Sequence, residues 1–170
     1  MGKTPDYLIM RTRIGQGVDI HAFCEGDFVI LGGVTIPHDQ ALEAHSDGDV
    51  VLHALCDALL GAAALGDLGT HFPPTDPKWA NADSRDLLRK VDLLIKHEGW
   101  SISNADVTIV CEQPKIAPYS AQMAANIAAD LDLNMGTRDI SIKATTTEGL
   151  GFCGRGEGIV ALAIVLIQKT

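Results

Sequence analysis

Asp19 and His21, two residues apart on a stretch that reads as extended, are the first pair in the chain whose types suit joint chemistry. Residues i and i+2 of a strand share a face, so a carboxylate and an imidazole project together while Ile20 turns to the opposite side, into apolar packing. The pair suits zinc, which takes nitrogen and oxygen ligands in tetrahedral geometry, but a third ligand is needed. Without one, it reads as an ordinary acid–histidine hydrogen bond. The run His45-Ser46-Asp47-Gly48-Asp49-Val50-Val51-Leu52-His53 offers one. Asp49, His53 and Asp57 recur every four residues and form one stripe on a helix. A solvated face is the plain explanation. Yet the stretch from Val50 to Leu65 is otherwise uncharged, which predicts that His53 and Asp57 are enclosed. A buried histidine needs a polar partner. His53 as third ligand, with Asp57 or another acid on its far side, meets that need. Three protein ligands leave a fourth position open, the mark of a catalytic zinc.

Two further groups suit an anion. His45 and Ser46 stand just ahead of the helix, where backbone N–H groups favour negative charge; a Ser46 cap beside an exposed histidine is the competing reading. Later, Lys143-Ala144-Thr145-Thr146-Thr147-Glu148 leads into Gly149, Gly151, Gly154, Gly156 and Gly158, with Arg155 among them. Glycines let backbone amides approach a ligand and can form anion-binding nests. The pattern is no Walker loop, because no Gly-Lys-Ser/Thr follows. Glu148 is a hard oxygen ligand suited to Mg²⁺ shared with phosphates, and the Arg155 fork suits phosphate. A mobile β-hairpin loop is the alternative. Lys115, in Gln113-Pro114-Lys115-Ile116-Ala117-Pro118, either meets a phosphate or is simply solvated.

These groups need a scaffold. Strands are predicted over Arg13 to Ala22, Phe28 to Leu31, Val34 to Ile36, Val107 to Cys111, Ile140 to Thr146 and Gly158 to Ile167. A helix capped by Ser46 or Asp47 is predicted to run to about Leu65, followed by a polar loop over Gly66 to Pro77. A second helix spans Asp83 to Glu98, with Leu87, Leu88, Val91, Leu94 and Ile95 at helical spacing and Gly99 as stop. A third runs from Tyr119 to Leu131, with Pro118 at its start. The imperfect alternation implies an α/β (α+β) single domain: a mixed four- to five-stranded sheet covered by helices on one face. The other face then needs burial, which oligomerisation supplies.

A chain of 170 residues can form one core without staples. The net charge of −9 argues against nucleic-acid or anionic-membrane partners, which need basic patches. The four cysteines, Cys24, Cys56, Cys111 and Cys153, show no paired spacing. With no signal-type pattern and no apolar run approaching the roughly 20 residues of a membrane helix, a cytoplasmic protein is expected. Residues 1–10 read as an extension or remnant ahead of a domain over residues 11–170.

The strings RIGQGVDIHAF, AHSDGDVVLHALCDALLGAAALGDLG, FPPTDP, ADSRDLL and IKATTTEGLGFCGRGEG resemble the 2-C-methyl-D-erythritol 2,4-cyclodiphosphate synthase family over nearly the whole chain. The resemblance implies a homotrimer with active sites between adjacent subunits. It implies zinc on Asp19, His21 and His53, and Mg²⁺ or Mn²⁺ on Glu148. His45 and Thr146 would stabilise the transition state. Ser46, Asp67, Gly69, Phe72, Thr75 and Asp76 would hold the methylerythritol phosphate part. Cys111, Lys115, Ile116 and Ala117 would line a cytidine pocket, and Thr145, Thr146 and Glu148 would meet the diphosphate. Phe152 and Arg155 complete the matched positions. The chain departs from the usual pattern at Ala41, Pro74, Gln113 and Gly149, which are expected at the pocket rim or outside it. The implied reaction closes a cyclic diphosphate on 4-diphosphocytidyl-2-C-methyl-D-erythritol 2-phosphate and releases CMP. A plastid setting would require a transit peptide already removed, and an isoprenoid in an apolar cavity on the threefold axis would fit the same assembly. Two other activity classes suit the residues: a zinc phosphohydrolase, and a trimeric isoprenoid-binding module without turnover.

Overall fold

A computed structural model describes residues 10–79, 82–132 and 136–169. The expected N-terminal extension therefore lies outside the described residues, except for Met10. A five-stranded sheet carries the fold. Its strands are β1 (Arg11–Glu25), β4 (Gln40–Leu42), β5 (Ser101–Val110), β6 (Ile140–Thr145) and β7 (Gly158–Lys169), in the order β4-β1-β7-β5-β6. Only β5 and β6 are parallel; the other pairs are antiparallel. A separate hairpin, β2 (Phe28–Leu31) with β3 (Val34–Pro37), turns through Gly32 and Gly33, both at positive φ.

Helices α1 (Val50–Ala63), α3 (Ser84–His97) and α4 (Ser120–Asp130) cover one face, and α2 (Leu68–His71) and α5 (Gly151–Gly154) are single turns. Helix α1 is apolar almost all round, which marks a central helix. It reaches the sheet because β1 offers glycine where the two cross. A Cβ on Gly15 would stand 1.9 Å from the Ala58 carbonyl oxygen, and one on Gly17 would stand 1.9 Å from that of Ala54. Helix α3 is amphipathic: Leu87, Leu88, Val91 and Ile95 face the core, Asp83 caps its start, and Gly99 (φ +78°) follows its end. Buried Asp130 ties α4 to α3, accepting from Arg85 Nε at 2.6 Å and Arg89 Nη1 at 2.5 Å.

The opposite face of the sheet is bare, as the one-sided cover predicts. Along β1 and β7 it is mostly apolar: Ile14 pairs with Leu166, Val18 with Leu162 and Ile20 with Val160, with Gln16 opposite Ile164. Ile14 is 72%, Ile20 55% and Ile164 50% exposed. Ile20 was expected in apolar packing; within one chain it is exposed, because strand alternation gives its side but not whether that side is covered.

Other details also differ from expectation. Helix α1 starts one turn late: Asp49, not Ser46 or Asp47, is its cap, accepting from the N–H groups of Val51 and Leu52 at 3.1 Å. Asp49 therefore does not continue the His53 stripe. It is fully buried and reaches across to the Gly32 and Gly33 N–H groups at 2.9 and 2.7 Å. Strand β5 begins at Ser101, six residues earlier than predicted. Strands β6 and β7 do not form a hairpin, since β5 lies between them.

Candidate metal centre

Strand β1 and helix α1 meet at one end of the sheet, and there the three predicted ligands converge. Asp19 Oδ2 lies 2.9 Å from His21 Nε2 and 3.0 Å from His53 Nδ1, and the two ring nitrogens are 3.4 Å apart. Tetrahedral zinc with bonds of about 2.0–2.1 Å would separate its ligand atoms by about 3.3 Å. The observed triangle is close to that size, and all three groups are half-buried. His21 Nδ1 lies 2.7 Å from the Glu43 carbonyl oxygen, which can only accept, so Nδ1 carries a proton and leaves Nε2 facing the centre, where it can hold a proton toward Asp19 or a metal. Among the described residues this is the one cluster with metal-ligating geometry.

Electrostatics agree. Burial works to raise the Asp19 carboxyl, but hydrogen bonds and charge from His21 and His53 outweigh it and hold the group well below the usual carboxylate range. Burial works to lower His21, and the Asp19 hydrogen bond and charge with the Glu43 carbonyl raise it on balance. The site thus favours positive charge at its centre, whether proton or metal.

The partner of His53 is not Asp57. Asp57 is half-buried, and its carboxylate accepts the Leu68 N–H at 2.7 Å, while burial raises its pKa. His53 Nε2 instead meets Ser84 Oγ at 2.9 Å and Ser46 Oγ at 3.2 Å.

A cavity of about 220 Å³ opens beside the cluster, lined by His21, His45, Ser46, His53, Gly69 and Phe72 among the expected residues. Leu68, Pro74, Trp79 and Leu87 also line it, and Trp79 stands edge-on to Phe72 at 4.8 Å. Asp67, Thr75 and Asp76 are not among its lining residues. Asp67 caps α2, accepting from Thr70 N–H and Oγ1 at 2.8 and 2.7 Å, and Asp76 accepts the Lys78 N–H at 3.0 Å.

A second cavity of about 190 Å³ lies past the C-terminal ends of β5 and β6. Its lining includes Cys111, Lys115, Ile116, Ala117, Thr145 and Thr146, six residues expected together. In open sheets the carboxyl ends of parallel strands are a usual place for ligands. The loop beyond is organised by Glu112, whose Oε1 accepts the Thr147 N–H at 2.9 Å, Thr147 Oγ1 at 3.0 Å and the Gly149 N–H at 3.3 Å. Glu148, exposed at φ +53°, accepts from Thr146 Oγ1 at 2.6 Å. Phe152 faces a third, apolar hollow with Val110, Leu150 and Val160. Arg155 is exposed and paired with Glu157 through two bonds of 2.7 and 2.9 Å.

The two main cavities are at the same end of the sheet but not beside each other. Strands β1 and β6 are three strand spacings apart, about 14 Å at ~4.8 Å each. Between them, Ile159 and Ala161 of β7 are fully buried. Of the departures from pattern, Pro74 lines the first cavity, Gln113 and Gly149 are exposed, and Ala41 packs on Gly26. Among the described residues no helix is long and apolar enough to cross a membrane.

Sequence spacing does not single out Trp79 or Ser84. A tryptophan after a proline-rich loop was the one local sign of Trp79; Ser84 reads as an ordinary helix start.

Comparison with known proteins gives consistent results. Residues 12–168 match the YgbB family. The 2-C-methyl-D-erythritol 2,4-cyclodiphosphate synthase of Acinetobacter baumannii is 61% identical over 161 residues, covering 95% of this chain and 99% of that protein. Among solved structures, the bifunctional IspDF of Campylobacter jejuni superposes with a TM-score of 0.90 at 41% identity, covering 95% of this chain and 43% of that one. The IspF of Plasmodium falciparum, solved as a CDP complex, superposes at 0.80 with 34% identity, covering 94% and 97% of the two chains.

Proposed function

This chain belongs to the YgbB family, and we infer from that premise how its residues work. It converts 4-diphosphocytidyl-2-C-methyl-D-erythritol 2-phosphate to 2-C-methyl-D-erythritol 2,4-cyclodiphosphate and releases CMP, as a lyase of isoprenoid precursor synthesis. The observation that carries the chemistry is the Asp19/His21/His53 triangle beside a cavity. The nucleophile is the substrate's own 2-phosphate oxygen, already ionised at neutral pH, so no strong general base is required. Among the described residues no Ser–His–Asp arrangement is needed to explain the reaction. The protein's work is positioning and charge stabilisation.

Zinc held by Asp19, His21 and His53 would supply Lewis acidity to the β-phosphate, and Mg²⁺ or Mn²⁺ at Glu148 would neutralise the diphosphate. His45 and Ser46, at the mouth of the first cavity, hold the phosphate end of the substrate. Gly69 and Phe72, with Asp67, Thr75 and Asp76 from the adjoining loop, enclose the methylerythritol. Cys111, Lys115, Ile116 and Ala117 take the cytidine; the P. falciparum relative, solved as a CDP complex, supports a cytidine nucleotide as the ligand class. Thr145, Thr146 and Glu148 face the diphosphate, and Phe152 and Arg155 complete the substrate-binding set, the Arg155 fork suiting phosphate.

The assembly is a homotrimer with the bare face of the sheet inward. Three observations support this: the exposed Ile14, Val18, Ile20 and Ile164, the separation of the two cavities within one chain, and the filled ground between them. A neighbouring subunit's second cavity then completes the first. The apolar hollow at Leu150, Phe152 and Val160 suits an isoprenoid near the axis, and a cytoplasmic setting belongs to the same reading.

Mixed assemblies test this arrangement. His53→Ala and Lys115→Ala subunits, each inactive alone, should regain activity when unfolded and refolded together. Mixtures that stay inactive, with mixed trimers demonstrated by mass spectrometry, would place the whole site within one chain.

A further inference from the structure

The far nitrogen of His53 leads away from the metal centre into a second helix. Ser84, the first residue of α3, is fully buried, and its Oγ lies between two partners: His53 Nε2 at 2.9 Å and Asp47 Oδ1 at 2.5 Å. Asp47 is anchored in turn. Its Oδ2 accepts the Ser84 backbone N–H at 3.0 Å, its Oδ1 accepts the Asp49 N–H at 3.3 Å, and its own N–H donates to the Ala82 carbonyl oxygen at 3.3 Å.

Proton bookkeeping fixes the direction of this chain. A hydroxyl has one proton and two lone pairs, and an ionised carboxylate only accepts. Ser84 therefore donates to Asp47 and presents a lone pair to His53, so Nε2 carries the imidazole proton. Nδ1 is left with its lone pair facing Asp19 Oδ2 and His21 Nε2. The Ser46 hydroxyl, 3.2 Å from Nε2, accepts from the Gly48 N–H at 3.3 Å and adds a weaker acceptor with no acid behind it.

We propose that Asp47 and Ser84 form a positioning relay that holds His53 as its Nε2–H tautomer and aims Nδ1 at the metal. Neither residue lines the first cavity. The relay links the segment ahead of α1, the helix that carries His53 and the start of α3. It rests on the metal reading of the site and is independent of which reaction the metal serves.

The test uses the full chain, stripped of metal. Zinc affinity is measured by competition with a chromophoric chelator for the parent, Ser84→Ala, Asp47→Asn, the double variant and Ser84→Thr. Far-UV circular dichroism and melting check the fold. Each alanine or asparagine change should weaken zinc by roughly 10- to 100-fold, the usual effect of removing a group that orients a ligand. The double variant should lose no more than the worse single one, and Ser84→Thr, which keeps the hydroxyl, should recover most of the loss. Long-range ¹H–¹⁵N spectra of the zinc-loaded parent should show His53 Nε2 protonated and Nδ1 coordinated, with the Nε2 signal moved in Ser84→Ala. A folded Ser84→Ala with parental zinc affinity overturns the relay, as do additive losses in the double variant. If Ser84→Ala does not fold, Asp47→Asn decides in the same way. A parent chain that binds no zinc would instead sink the metal reading itself.

Discussion

Gly17→Ala tests whether the helix and strand that carry Asp19, His21 and His53 are held together by close backbone approach. The added Cβ would stand 1.9 Å from the Ala54 carbonyl oxygen and 2.7 Å from the Ala58 amide nitrogen, both backbone atoms of α1. Ordinary contact is about 3.4 Å, so the two elements must part by about 1.5 Å. Overpacking a core usually costs about 1–3 kcal/mol, and a clash with rigid backbone belongs at or above the top of that range. For a domain of this size, about 3 kcal/mol lowers the melting temperature by roughly 6–12 °C. The same displacement moves His53, next to Ala54, away from Asp19 and His21. Sites of this kind tolerate about 0.5 Å, so metal affinity falls with stability. Gly61→Ala is the control on the same helix. Nothing lies within 4 Å of its added Cβ, and it should stabilise by roughly 0.5–1 kcal/mol through helix propensity. Scanning calorimetry at fixed protein concentration and zinc competition read both effects. If Gly17→Ala melts and binds zinc like Gly61→Ala, the account of how α1 is seated on β1 is wrong.

His53→Ala should lose zinc and activity together, measured by metal content after dialysis and by CMP release; an active, zinc-free variant would refute the ligand assignment. Ile164→Asp, placing a charge on the bare apolar face, should give a folded chain that sediments as a monomer in analytical ultracentrifugation, still binds zinc, and has no activity. Burial pushes the Asp49 carboxyl up to about 6 from an ordinary 3.8, against the pull of the Gly33, Gly32 and Leu52 N–H groups. Its folded value exceeds its unfolded one, so the folded chain holds the extra proton between these values and the Asp49 contribution to stability falls as pH rises through that window. In urea titrations the stability of the parent relative to Asp49→Asn should therefore fall as pH rises from about 4 to about 6, whereas a difference that stays constant would contradict the shift.

The Asp19/His21/His53 cluster was legible from one periodicity and one contrast in composition. A two-residue repeat put Asp19 and His21 on one face of β1, and a charge-poor helix made His53 conspicuous. The ends of α1 were less so: Ser46, Asp47 and Asp49 are all good caps, and only the β2–β3 turn, which offers two N–H groups to Asp49, selects among them. Ser84 and Asp47 left no local signal, since their bonds join residues 31 and 37 positions apart. Ile20 shows a different limit: alternation separates the two faces of a strand, but which face lies bare depends on where the helices pack. The second cavity was named through family resemblance, because the spacing of Cys111, Lys115 and Thr145 alone carries no chemistry.

The central claim is that the Asp19/His21/His53 centre serves ring closure. It is tested most directly by ³¹P NMR of the zinc-loaded protein with Mg²⁺ and 4-diphosphocytidyl-2-C-methyl-D-erythritol 2-phosphate. Two mutually coupled resonances of a cyclic diphosphate, growing in step with CMP, are predicted. A linear phosphate product would indicate hydrolysis, and no turnover with zinc bound would indicate a binding module; either result contradicts the account.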